Sequence, residues 1–184
     1  MQTSKTVRQR REVPTRVDLE GRSTAARDEA ERFVQRAFRA SYGARITQFM
    51  PQLMTLRDDR GELLGVLGLR APAAGRLFLE QYFDQPVEQL LAAALGQPVD
   101  RASLVEVGNF AVGAAGGGRW LITALTAYLH SAGQRWAVFT CGPALRNAFA
   151  RLGVPLVDLA AADPRRLPRD ERRRWGRYYD QAPR

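Results

Sequence analysis

The sequence predicts one α/β domain, a single mixed central sheet with helices on both faces. Three observations lead there. Stretches of helical period alternate with short β-rich stretches along the 184 residues. The segment SLVEVGNFAV (103–112) is almost continuously apolar, as expected of a central strand covered on both sides. The last third runs strand, helix, strand, helix, the order of a right-handed crossover unit packed on one sheet.

The elements follow from local signals. Residues 1–22 read as a basic arm outside the domain, which spans 23–184. A first helix begins after Ser23 or Thr24, either of which can cap it, and Ala26, Ala30, Phe33, Val34, Ala37 and Phe38 recur on one face. A hairpin follows, with strands at 52–57 and 62–70 around the turn Asp58-Asp59-Arg60-Gly61. RLFLEQYFD (76–84) reads as a short strand or extended segment, and 86–96 as a helix stopped by Gly96. After strand 103–112 come four glycines, Gly113, Gly116, Gly117 and Gly118, and a helix over 119–132. RWAVFTC (135–141) is a buried strand, 143–153 a helix ended by Gly153, and VPLVDLA a short strand. RDERRRWGRYYD closes the chain as a helix or a helix and strand.

Composition excludes several chemistries. Cys141 and His130 are the only residues of their kinds, which argues against an internal disulfide, a His/Cys metal site and a Ser-His-Asp triad. No apolar run is long enough to cross a bilayer, and the basic N-terminus lacks an apolar signal core. A cytoplasmic soluble protein is the expectation. The formal charge of +9 sits at the two ends: residues 1–16 carry five basic side chains against Glu12, and 164–184 carry eight arginines against three acids. Such ends suit an acidic carrier protein or an anionic membrane surface, and no motif that reads nucleic acid is present.

The glycine turn between strand and helix admits two readings. Backbone N–H groups at a helix N-terminus, with the helix dipole, form an anion cradle, and glycine lets a phosphate approach closely. The turn is neither a Walker loop nor a G-x-G-x-x-G fingerprint, so a loop without a ligand is the other reading.

Residues 103–154 resemble the core of the GCN5-related N-acetyltransferase fold. There a loop of pattern Gln/Arg-x-x-Gly-x-Gly/Ala after a bulged strand binds the coenzyme A pyrophosphate. Gly116 and Gly118 match its small positions, and Gly113 stands where Gln or Arg is usual. Phe149 occupies the place of a tyrosine that often serves as general acid. LFLEQYFDQPVEQLLAAALG, VEVGNFAV, WAVFTCGPALRNAFARLG and WGRYYD, across about 30–182, resemble the thermostable haemolysin family. VEVGNFAV is also similar to the Glu-x-Ser/Thr-Arg-Phe-x-Val strand of acyl-homoserine-lactone synthases and to a strand of N-acyl amino acid synthases. Glu106, Phe110 and Val112 match, whereas Gly108 and Asn109 depart.

These resemblances imply an N-acyltransferase that moves a fatty acyl group from acyl carrier protein or acyl-coenzyme A to an amino acid or small amine. The acyl-coenzyme A or acyl-phosphopantetheine would be a substrate, with no permanently bound cofactor and no metal. The haemolysin name implies a membrane-binding or lytic alternative, and a non-catalytic acyl or coenzyme A sensor is a third. Glu106, a carboxylate in an apolar strand, would orient or deprotonate the amine, unless it forms an ion pair with Arg101 or Arg146. Strand alternation places Glu106, Gly108 and Phe110 on one face and Asn109 with Ala111 on the other. Asn109 would bond the acyl carbonyl or cap a bulge, and Glu80 would contact the acceptor or lie on a solvated strand edge. Donor contacts would come from Phe110, Ala111, Val112, Gly113, Gly116, Gly117, Gly118, Arg119 and Arg146.

Overall fold

A computed structural model describes residues 13–22, 24–113 and 117–184. The strands are β1 (Arg16–Glu20), β2 (Gln52–Arg57), β3 (Leu63–Arg70), β4 (Leu104–Val112) and β5 (Trp136–Val138). They form one sheet in the order β1-β2-β3-β4-β5. Each of the first four is antiparallel to its neighbour and β5 runs parallel to β4, so the sheet is mixed. The helices are α1 (Ala25–Tyr42), α2 (Val87–Leu95), α3 (Gly117–Ser131), α4 (Pro143–Arg151) and α5 (Arg169–Arg174).

Helix α1 starts where Thr24 accepts the Arg27 amide at 3.0 Å and ends where Gly43 turns to φ 65°. Its apolar stripe, Ala30, Val34 and Phe38, packs on one sheet face with Leu53, Val66 and Ala111. The opposite face, Met54, Leu56, Leu67, Leu69, Val105 and Val107, is covered by Leu121 and Leu125 of α3. The expected two-sided cover of the central strand is thus observed. Gly65 permits the approach of α3, since a Cβ there would lie 2.8 Å from Leu121. No helix among the described residues is long and apolar enough to cross a membrane.

Three expectations are corrected. Residues 16–20, read as part of the arm, form β1, an edge strand held by pairing to β2 although Val17 and Leu19 remain largely exposed. Residues 1–12 lie outside the described residues. The 76–84 segment is no strand: Phe78–Tyr82 is a 3-10 helix, because Glu80 folds back to accept the Leu77 amide. VPLVDLA forms no strand, and Leu156 and Val157 are exposed.

Candidate functional site

The site is created by two irregularities in β4. Gly68 faces Gly108 and Val66 faces Ala111, so two residues of β4, Asn109 and Phe110, oppose the single Leu67. This is a β-bulge, and Asn109 takes φ 49°, a left-handed conformation that asparagine tolerates better than most residues. The extra residue reverses the strand's parity. Glu106 and Gly108 keep the α1 side, but Phe110 packs into the α3-side cluster and Ala111 into the α1-side one. The simple alternation expected across 105–111 therefore breaks at Asn109. Asn109 Oδ1 accepts the Met50 amide at 2.9 Å, which ties the bulge to the 43–50 loop.

The second irregularity is that β4 and β5 part. Their pairing stops at Glu106 and Val138. Beyond it, Cys141 turns to the chain's last segment and exchanges both backbone hydrogen bonds with Arg184, at 2.8 and 3.0 Å. A cleft of about 370 Å³ opens between the diverging strands. It takes in residues of both core faces, Phe38 and Ile46 from one and Val107, Phe110 and Phe139 from the other. That volume suits a small-molecule ligand.

Glu106 lies in this cleft, 2% exposed. Its Oε1 accepts the Leu79 amide at 2.8 Å and its Oε2 the Phe78 amide at 3.0 Å. Arg70, not Arg101 or Arg146, is its ion-pair partner, with Nη1 at 3.5 Å. Burial raises the Glu106 carboxyl above the ordinary carboxylate range, against the pull of the two amides and Arg70. The result is a buried carboxyl, held by two amides and an arginine, whose proton affinity is higher than that of a solvated one.

The profile of the family described as Thermostable hemolysin matches residues 20–184. The chain belongs to the thermostable hemolysin family. A search of curated proteins gives no match. Among solved structures the chain is similar to TofI in a ternary complex with an inhibitor and MTA, at 17% identity and a TM-score of 0.52, covering 79% of this chain and 83% of that one. It is also similar to the AHL synthase LasI, at 16% identity and a TM-score of 0.51, covering 80% and 81% respectively. At these identities the likeness establishes the fold, an α/β sheet of the acetyltransferase-like kind.

Within this thermostable hemolysin family fold, the sequence-derived site residues divide. Glu106, Asn109, Phe110, Ala111, Val112 and Gly118 line one cleft. Gly116 lies outside the described residues. Gly113 is no free donor, because its amide bonds Leu64 O at 3.1 Å. Gly117 is a packing position at the start of α3, where a Cβ would stand 3.0 Å from Leu64 O. Arg119 is exposed, with its guanidinium 5.9 Å from the Trp120 ring centroid and away from the cleft lining. Arg146 is likewise outside the lining and faces Asp158 at 3.8 Å.

Glu80 is neither on a solvated edge nor in the cleft. It is buried and accepts the Leu77 and Val87 amides, while Arg101 Nη1 bonds its Oε1 at 2.6 Å and Glu88 Oε2 at 2.6 Å. Burial opposes its ionisation, yet Arg101 and the two amides hold its carboxyl below the usual range. The network fixes the turn whose Phe78 and Leu79 amides hold Glu106. Arg101→Ala should therefore cost about 3 kcal/mol of stability by leaving Glu80 buried without its cation. The depressed pKa of Glu80 gives stability that is present above the unfolded carboxylate value and lost as pH falls through the folded one. Urea melts at pH 7 and pH 3 should show the variant gap shrinking in acid.

The cleft's aromatic wall was not singled out from the sequence. Phe38, Tyr42, Phe78, Tyr82, Trp175 and Tyr178 converge on it from three segments. Trp175 and Tyr178 ring centroids lie 5.1 Å apart, and Tyr42 meets Tyr178 edge-on at 5.3 Å. Tyr178 Oη donates to Thr140 O at 3.2 Å, and burial pushes its phenol far up. WGRYYD, quoted above for its resemblance, was the available signal. Cys141 is buried and its thiol is pushed up to about 11 by burial, which disfavours a nucleophilic thiolate.

Proposed function

We propose that the protein is an acyltransferase that moves a fatty acyl group from an acyl-coenzyme A or a carrier-bound acyl-phosphopantetheine to the amine of an amino acid or small amine. The observation that carries this reading is the cleft between the parting strands, which puts a buried carboxylate, a bulged backbone and apolar walls around one space. The likeness in fold to LasI, an AHL synthase, supports it.

The acyl thioester lies along the cleft, with its chain against Val107, Phe110, Phe139 and Phe149. Backbone amides of the bulge at 109–110 face the thioester carbonyl and stabilise the oxyanion as charge develops. The amine nitrogen attacks the carbonyl carbon, a C–N bond forms, and the C–S bond breaks. Glu106, directly or through one water, takes the proton that the amine sheds, and that proton returns through water to the departing sulfur, which leaves as a thiol. Alignment of amine and thioester supplies much of the rate.

The donor's phosphates fit the start of α3. That helix has 15 residues, so its amino end carries the partial positive charge of a full dipole. Gly118 borders the cleft with room in front of it, since a Cβ there would lie 4.0 Å from Phe110 and Val112. Gly118→Asp should weaken coenzyme A binding about tenfold, the effect of one misplaced charge at a helix N-terminus, while the melting temperature barely moves. Calorimetric titration with coenzyme A measures it.

The reading itself is tested by incubating the protein with acyl-coenzyme A and acyl carrier protein donors of several chain lengths and a pool of amines. Mass spectrometry should find N-acyl products. No product with any donor, together with no thermal shift by coenzyme A, overturns it.

A further inference from the structure

A second groove opens beside the cleft, lined by Arg32, Gln35, Arg36, Arg39, Arg45 and Thr47. It holds four arginines and no acid. The two cavities share Arg45, Ile46 and Thr47, so the groove continues into the cleft at the end formed by the 43–50 loop. That end is distinct from the start of α3, where the donor's phosphates are placed above.

The cluster is not neutralised by ion-paired acids. The acids Glu29 and Glu31 in the first half of α1 each have a partner, Arg57 at 2.6 Å and Arg27 at 2.7 Å. Arg32, Arg36 and Arg39 follow at helical spacing, and among the described residues none of them, nor Arg45, is within ion-pair distance of an acid. A cation in the last turn is favoured by the dipole, which suits Arg39. Arg32 and Arg36 lie further from that end, where Glu29 attracts them only through space, and like charges one turn apart weaken a helix. The loop that brings Arg45 to the same groove is anchored on both sides. Gln35 donates to Ile46 O at 3.1 Å, and the Arg45 amide bonds Arg174 O at 2.6 Å. Four arginines lining one groove offer an anion more than one positive charge.

We infer that the acceptor amine carries a phosphate or an equivalent multiply charged anionic group. Arg32, Arg36, Arg39 and Arg45 bind that group in the groove, and the amine reaches past Arg45 toward Glu106. A single carboxylate would leave most of the cationic charge unanswered. The inference rests on the acyl-transfer reading, because it assigns the groove to that reaction's second substrate.

The test has a binding arm and a turnover arm. Calorimetry with inorganic pyrophosphate should show binding that weakens with salt, and that falls about tenfold or more in the double variant Arg36→Gln, Arg45→Gln. Circular dichroism should show the variant folded, since all substituted side chains are exposed. With one acyl donor, O-phosphoethanolamine should be acylated with a KM about tenfold or more below that of ethanolamine, and the double variant should erase the difference. No pyrophosphate binding by the wild type, or binding indifferent to the two substitutions, overturns the inference. Acylation with no preference for the phosphorylated amine overturns it and leaves the acyl-transfer reading standing. Pyrophosphate binding with no acylation of any amine overturns the acyl-transfer reading and the groove's assignment together. If the double variant instead raises only the KM for an acyl carrier protein, the groove is a macromolecular docking surface and the inference falls.

Discussion

Glu106→Gln is expected to lower acyl-transfer turnover by about 10²–10⁴-fold, the usual contribution of a positioned general base. Donor binding should survive, because the start of α3 and the apolar walls are untouched. The pH profile separates a base from an anchor. A carboxylate takes up the amine's proton only when ionised, so kcat/KM should rise with pH through the Glu106 pKa, which burial places above the ordinary carboxylate range. In the glutamine variant that ascending limb should vanish. Glutamine also leaves one of the Phe78 and Leu79 amides facing an NH₂ group in place of an oxygen, at a cost of about 1–3 kcal/mol. Chemical melts measure that cost apart from turnover. Here the linkage has a definite sign: a carboxyl with a raised folded pKa contributes stability below its unfolded pKa and loses it as pH rises through the folded one. The variant lacks that loss. Turnover within a few-fold of wild type, with the limb retained, would remove Glu106 from the proton path and leave it as the brace that holds the 77–80 turn.

The main body of the fold was legible because its signals are local. The apolar stripe of α1, the Asp58–Gly61 turn and the largely apolar run of β4 each declare their structure within a dozen residues. Glu106 could also be singled out, as a charge where an apolar residue belongs. What escaped was set by contacts across the chain. β1 has the alternation of a strand but buries little of Val17 and Leu19, so its main support is a ladder that no local pattern announces. FLEQYFD has strand-like composition, and a carboxylate bonding back to an amide three residues earlier turns it into a 3-10 helix. That rearrangement also removed Glu80 from the site. The bulge was foreseen near the right place, but its consequence was not: one inserted residue exchanged the faces of Phe110 and Ala111. The aromatic wall joins residues up to 140 positions apart, Phe38 with Tyr178, which only tertiary structure can assemble.

Gly176→Ala is expected to be the most destabilising of the small substitutions, at about 3 kcal/mol or more, with Tm lower by about 10 °C. Gly176 follows α5 with φ 55°, where an L side chain is strained. Strain alone would cost about 1 kcal/mol, and steric overlap costs more. A Cβ at this position would lie 2.3 Å from Tyr42 O and 2.9 Å from the Gly43 carbonyl carbon. Both are backbone atoms at the end of α1, so no rotamer change relieves the overlap. The segment must lift, and it would pull on the Arg177 amide bond to Tyr42 O at 2.8 Å and the Arg45 amide bond to Arg174 O at 2.6 Å. Trp175 and Tyr178 flank the clash and pack on Phe38 and Tyr42, so the aromatic wall of the cleft moves with it. Gly133→Ala is the matched control. It too has a left-handed φ, 68°, but nothing lies within 4 Å of its Cβ, so it should show the strain alone. Equal losses in the two variants would mean that the chain's end is only loosely seated on α1. A much larger loss at Gly176, accompanied by weaker acyl-donor binding, would tie the seating of WGRYYD to the shape of the cleft.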